Sequence, residues 1–453
     1  MSDEFRPERS PGQKLLFAIL IGALLAVPLF AIYLLVYDRS SQSSAAQASI
    51  VQGWGGAQVI AGPVLVIPYT ATTTETVEQN GQKIAKTSTS WHELKLQAQT
   101  SEIRSELAPE QRARSIYRAV VYQAHNVGTA SFALPDDLDR LGIARASLAF
   151  DKAELRFGIG DARGLFGAPP VVSLGEQKLP LKPGKGLLET HGAGFYSFLD
   201  ASALQRGTLQ FHYDYSLRGN ESLTLLPGGD DTRWSVTSKW PSPSFQGSFL
   251  PDHSDVSERG FSASWRVGNL ALGKSLASID DEGTEQSEGR TLESAGASVN
   301  LVTPVDLYDQ VNRSVKYGFL FIGFTFTAFL MFDVIGGVRV STIEYLLVGA
   351  GLVLFFVMML AFAEVIGFSP AYVVAAAAII GLLTAYGAAV LKSWKRAQFM
   401  GALLVGLYAL LFVLLNLEAW SLLIGSLLLF AALAGVMYAT RKVDWGVAAK
   451  REA

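Results

Sequence analysis

Few side chains in this sequence are placed to do chemistry. The five histidines, His92, His125, His191, His212 and His253, all fall in the middle of the chain, and no two stand at spacings that bind zinc. Cysteine is absent, which excludes disulfides, thiolate metal sites, iron–sulfur clusters and a cysteine nucleophile. There is no G-x-S-x-G elbow, P-loop or H-E-x-x-H. Gly158-Ile159-Gly160-Asp161-Ala162-Arg163-Gly164 contains G-x-G but lacks the third glycine and the strand-to-helix setting of a dinucleotide site. It reads as a turn after a strand, in which Asp161 and Arg163 pair or hold backbone groups. The most unusual stretch is 238–251, where prolines fix an extended, non-ladder backbone and Trp240, Phe245 and Phe249 recur. It has two readings, a packed crossing loop or a surface that docks a protein or glycan. The candidate interaction surface is therefore Asp161, Arg163, Trp240, Phe245 and Phe249. No catalytic residue, cofactor or metal ligand is assigned, and a non-enzymatic protein is expected.

The elements that carry these residues begin with an uncharged run, 15–37, preceded by Arg6, Arg9 and Lys14. As a helix it measures about 34 Å, enough for a hydrocarbon core of about 30 Å. A cleaved signal peptide has a shorter apolar core with its cleavage site close behind. Here the A-x-A string Ala46-Gln47-Ala48 lies well past the run, so an uncleaved signal anchor is expected. Half of the residues are hydrophobic and 17% are charged, which points to a membrane protein. The net charge of −3 and the lack of any Lys/Arg block argue against nucleic acid.

Five more apolar runs follow, at 317–332, 345–362, 371–391, 399–415 and 420–438. The connections alternate in charge. Arg339, then Lys392, Lys395 and Arg396, then Arg441, Lys442, Lys450 and Arg451 mark one side, while the segments around Glu364 and Glu418 carry no basic residue. By the positive-inside rule both ends of the chain are cytoplasmic. Asp333, Glu344, Glu364 and Glu418 sit at span ends, which disfavours an ion-coupled transporter. Ala377, Gly381, Ala385 and Ala389 form a small-residue ridge for an intrachain helix or a second copy; oligomeric state is not read from it.

Between the first and second runs the texture is that of strands. Gly53-Trp54-Gly55-Gly56 breaks the first helix, with Trp54 at the interface or capping a core. Val64-Leu65-Val66-Ile67, opened by Gly62-Pro63 and closed by Pro68, predicts a buried strand, and Asn80-Gly81 predicts a hairpin. Further strands are expected at 116–123, 146–150, 155–159, 209–217, 223–226, 234–240, 261–267 and 299–302, with short helices at 135–141 and 270–278 and a loop tip at 280–289. The expected fold is a membrane α-helical bundle of six transmembrane helices with a large β-rich, sandwich-like periplasmic domain inserted between the first and second. The parts are a cytoplasmic N-terminus (1–14), the anchor (15–37), the periplasmic domain (38–314), spans two to six (315–440) and a cytoplasmic tail (441–453). The expected partners are the lipid bilayer and an envelope protein or cell-wall component.

This arrangement, with several strings, resembles the CreD family of inner-membrane proteins. The strings are Gly62-Pro63-Val64-Leu65-Val66-Ile67-Pro68, Gly160-Asp161-Ala162-Arg163-Gly164, and Trp240-Pro241-Ser242-Pro243-Ser244-Phe245 with Gly247 and Phe249-Leu250-Pro251. Val256-Ser257-Glu258, Gly260-Phe261, Trp265, Thr303-Pro304-Val305-Asp306, Tyr308 and Lys316-Tyr317 extend the likeness, and Glu344-Tyr345-Leu346-Leu347-Val348-Gly349 matches approximately. The resemblance implies a bacterial inner-membrane protein under two-component control, linked to envelope integrity, colicin tolerance and β-lactam response. It carries over no catalytic residue. Rival readings are a transporter or lipid-handling protein, a sensor or scaffold for an envelope partner, and a periplasmic enzyme.

Overall fold

The computed structural model describes residues 11–79, 82–279, 296–301, 307–334, 340–416 and 421–441. By its contacts the chain divides into two units, Met1–Ala45 with Val305–Ala453, and Ala46–Pro304.

In the first unit the apolar run belongs to a longer helix, α1 (Pro11–Val51), because the Ser/Ala/Gln-rich residues after Tyr37 continue it until Gly53. Then come α2 (Leu307–Lys316), α3 (Gly318–Val334), α4 (Thr342–Ile366), α5 (Phe368–Val390), α6 (Trp394–Asn416) and α7 (Ser421–Thr440). Five stretches among the described residues are long and apolar enough to cross a membrane: Leu15–Val51, Leu307–Met331, Thr342–Ile366, Phe368–Val390 and Trp394–Leu415. Five of the six expected spans are thus found among the described residues. The sixth run does form a helix, α7, but it is not among them. The sequence reading also had no counterpart for α2, which is too short and too polar for an apolar run. It buries Tyr308, Val311, Ser314 and Val315. Glu344 serves a local purpose. Its side chain accepts from Ser341 N–H at 2.5 Å while its own N–H donates to Ser341 Oγ at 3.3 Å, a capping box that starts α4.

The second unit is a two-sheet sandwich. Its strands are β1 (Gln58–Gln79), β2 (Gln82–Gln97), β3 (Thr100–Arg114), β4 (Tyr117–Phe132), β5 (Ala153–Ile159), β6 (Val171–Leu174), β7 (Gln177–Lys178), β8 (Lys182–Pro183) and β9 (Gly194–Leu199). They continue with β10 (Leu209–Asn220), β11 (Ser222–Leu226), β12 (Asp231–Ser238), β13 (Pro243–Gly247), β14 (His253–Ser257), β15 (Gly260–Gly268), β16 (Ala277–Ile279) and β17 (Ala297–Leu301). One nine-stranded sheet runs β13-β17-β11-β1-β5-β9-β8, with β2 on β1 and β16 on β2. The eight-stranded sheet runs β14-β15-β12-β3-β4-β10-β6-β7. Two pairings are parallel, β1 with β11 and β12 with β3. Gln58 stands opposite Leu223, and Leu223 opposite Val299, so β1 begins beside the last residues of β17 with only β11 between them.

Alternation puts one face of each strand into the core. On β10, Leu209, Phe211, Tyr213, Tyr215 and Leu217 are buried while Gln210, His212 and Asp214 are exposed, as their spacing predicts. Phe157 packs against Phe195 at 4.8 Å and edge-on to Tyr213 at 5.3 Å, joining strands of the two sheets.

Several strand expectations need correction. The strand at 146–150 is instead a pair of 3₁₀ turns around Leu148, which bridges Tyr69. The run 270–278 is one helical turn, Asn269–Leu272, followed by β16. Pro68 does not close β1, which runs on beside β2, with Pro68 opposite Glu93. β3 went unpredicted because two of its inward positions are Ser101 and Ser105, so the apolar alternation is broken. Ser105 Oγ donates to Asn126 Oδ1 at 2.7 Å and accepts from Trp234 Nε1 at 3.0 Å, which makes a buried serine acceptable there. Asn80-Gly81, 280–289 and 303–306 lie outside the described residues, although the flanking pair Gln79 and Gln82 are in register.

Phe211 is fully buried and stacks edge-on with Phe132 at 5.7 Å. Phe211→Ala is expected to cost about 3–5 kcal/mol, read as a lower denaturation midpoint of the full-length protein in detergent. An unchanged midpoint would contradict the core described above.

Candidate functional site

A set of interlocked polar and aromatic groups in the β-unit surrounds residues 53–58, where the chain leaves α1 and enters β1. Gly55 has φ +112°, and a Cβ there would come within 2.7 Å of the Arg218 carbonyl oxygen, so only glycine fits. Trp54 is 8% exposed, and its Nε1 donates to the Tyr122 carbonyl at 3.3 Å. The Arg112 guanidinium lies 3.7 Å and the Arg218 guanidinium 4.4 Å from the centre of the indole, and Arg218 also covers Phe166 at 4.6 Å. These cation–π contacts hold the connector to β3 and β10 together. Close by, Arg114 Nη1 donates to Ser49 Oγ at 3.0 Å, fastening the last turn of α1.

The strut beneath is the Asp161 turn. Asp161 accepts from its own neighbour Arg163 N–H at 3.0 Å and from Gly56 N–H at 3.3 Å, and its Oδ2 pairs with Arg163 Nη2 at 2.8 Å. Gln58 is wholly buried. Its amide donates to the Asp161 carbonyl at 3.1 Å and the Arg218 carbonyl at 2.8 Å, and its Oε1 accepts from Asp161 N–H at 3.3 Å. Gly164 has no room for a side chain, since a Cβ would lie 2.3 Å from Gln58 Nε2 and 2.5 Å from the Arg218 carbonyl. The Arg163 side chain and backbone N–H hold the Asp161 carboxyl below the usual carboxylate range, against the opposing effect of partial burial.

Trp240, Phe245 and Phe249 are half-buried and pack against the sandwich core. Phe245 meets Phe261 at 5.9 Å and Trp265 at 5.7 Å, both edge-on, and Trp265 Nε1 donates to the Phe249 carbonyl at 3.1 Å. Contrary to the non-ladder backbone expected from the prolines, 243–247 pair with β17 as an edge strand. Pro243 is its first residue, where the lost N–H does least harm. The structure brings Asp161 and Arg163 together, and gathers Phe245 and Phe249 about Trp265. It does not join the two groups. β5 and β13 are four strand steps apart in the sheet, about 19 Å at the usual spacing.

Sequence reasoning missed the partners of Trp54, because Arg112 and Arg218 are far from it along the chain and only the fold makes them neighbours. It also missed the charge network on β5, where Arg156 bridges Glu93 at 2.6 Å and Glu154 at 2.7 Å, and Glu154 takes Lys185 at 2.5 Å. Among the described residues no group of three or more histidine or carboxylate side chains could hold a metal. His125 and Asp214 form a 2.8 Å pair on an exposed sheet face. This geometry fastens residues 49–58 to strands of both sheets.

Two comparisons bear on the whole chain. A family model described as "Inner membrane protein CreD" matches residues 10–446. The protein named Inner membrane protein CreD from Escherichia coli (strain K12) is 32% identical over 433 residues, which cover 94% of this chain and 92% of that protein.

Asp161→Ala removes an acceptor of two backbone N–H groups and is expected to cost about 1–2 kcal/mol at neutral pH. Because the folded-state pKa is depressed, that contribution is present above the ordinary carboxylate range and is lost as pH falls through the lowered value. Melting curves should therefore show wild type and variant converging in acid. A gap that is constant with pH would mean that the carboxylate is not the group responsible.

Proposed function

The chain belongs to the CreD family of inner-membrane proteins, and from that premise we propose that it supports cell-envelope integrity under stress without catalysing a reaction. In this reading the β-sandwich stands in the periplasm and both chain ends are cytoplasmic. α7 is then a sixth crossing that returns Arg441 to the cytoplasmic side. The reading is supported by the alternation of basic residues between apolar runs. The observation that carries it is the connector. A span-length helix runs to Val51 and is then bound through Trp54, Gly56, Gln58 and Ser49 to strands of both sheets. Such a connector suits a scaffold, since its polar and aromatic groups are spent on holding residues 49–58 to the sandwich. The charged groups around Asp161 and Arg156 are engaged with one another, and Asp161 also with the backbone, as expected of architecture. The partner in this reading is an envelope protein or cell-wall component, and no cofactor is required.

Deletion of the gene is expected to raise outer-envelope permeability and alter β-lactam sensitivity, with rescue by the wild-type gene. Rescue should fail for Gly164→Leu, which forces the Asp161 turn off Gln58, even where the variant is present at normal level in the membrane. Wild-type behaviour of the deletion under every envelope stress would overturn the role. Reporter fusions within 60–300 that are active on the cytosolic side would overturn the topology.

A further inference from the structure

The helical unit holds a polar cluster that the proposed role does not use. Glu364, near the end of α4, has a side chain only 10% exposed. It meets Arg39 Nε at 3.5 Å and accepts from the Tyr308 hydroxyl at 3.3 Å. These three residues come from separate segments, and two of them mark the edge of an apolar run. Arg39 follows the run that ends at Tyr37, Glu364 stands two residues before the end of α4, and Tyr308 lies on α2, which leads directly into α3. Independent ends that meet at one point define a common level, the boundary between hydrocarbon and headgroups. One turn further along α2, on the same face as Tyr308, Asn312 carries a buried Oδ1 with no hydrogen-bond partner. An unfilled acceptor one helical turn from the tyrosine that meets a carboxylate is a place for a donor, most economically a cation. Arg39 is 39% exposed, so its guanidinium can also meet an anion.

We propose that Arg39, Tyr308, Asn312 and Glu364 form a site for the headgroup of a zwitterionic phospholipid. The ammonium is taken by Glu364 and the Asn312 carbonyl oxygen, and the phosphate is taken by Arg39. A bilayer supplies this chemistry at this depth without any separate partner. The site stands whichever side of the membrane the β-unit occupies.

The test is native mass spectrometry of the full-length protein in mild detergent, titrated in turn with phosphatidylethanolamine, phosphatidylglycerol and diacylglycerol. Phosphatidylethanolamine should be retained best, phosphatidylglycerol less well because it has phosphate but no ammonium, and diacylglycerol not at all. Asn312→Leu, which leaves the Arg39–Glu364 pair intact, should weaken phosphatidylethanolamine about tenfold, the loss of one charge-assisted hydrogen bond, and leave phosphatidylglycerol unchanged. Glu364→Gln should do the same, with melting of each variant checked alongside. Arg39→Ala should weaken both phospholipids. Equal retention of the three lipids, or an Asn312→Leu protein that still prefers phosphatidylethanolamine to the same degree, would overturn the proposal.

Discussion

The constraint on which the β-unit depends is that a helix must stop and a buried strand must start within a few residues, leaving no backbone polar group stranded. Four residues solve it. Gly55 takes a conformation barred to other side chains, Gly56 N–H goes to Asp161, Gln58 answers two carbonyls and an N–H, and Trp54 covers the joint. An unpaired buried amide costs about 1–3 kcal/mol, so the glutamine and the aspartate matter less for the energy they add than for the penalties they prevent. The flanking guanidiniums of Arg112 and Arg218 then do what aliphatic groups cannot. They set a positive charge 3.7 and 4.4 Å from the centre of an indole ring.

Around this joint the sandwich is wound so that sequence neighbours are often not sheet neighbours. The first strand takes a parallel partner, β11, from much later in the chain, and β12 is parallel to β3. β13 and β14, consecutive in sequence, lie at the edges of opposite sheets. The Trp240–Pro251 stretch carries the chain from β12 across to β13 and back towards β14. Its aromatics fill the gap that the crossing would otherwise leave open, with Phe245 on one side of the Trp265 ring and the Phe249 carbonyl receiving its N–H.

What was legible in the sequence follows from how strongly each element states its period. The apolar runs and the alternation of β10 are loud signals. β3 is quiet, because serines satisfied by Asn126 and Trp234 stand where hydrophobic residues would have announced the inner face. The edge strand at 243–247 was hidden by its prolines, which forbid a central strand but not a border one. The Asp161 turn was visible as a turn, and its charged pair could be guessed from spacing. Its partners Gly56, Gln58 and Arg218 could not, since they meet only after the sheets assemble. The amphipathic α2 was concealed by its own polar face, and Tyr308, noticed as part of a string, acquired a partner only in three dimensions.

The register that sets β1 and β17 on either side of β11 has a consequence for descent. Gln58 and Val299 both align with Leu223, so the sandwich begins and finishes about 10 Å apart within a single sheet. A fold whose two ends nearly touch can be spliced into a host chain without prising the host open. An ancestral membrane protein with a tight turn at this point would have needed no redesign to acquire the sandwich, and a lineage could exchange it for another insert just as readily.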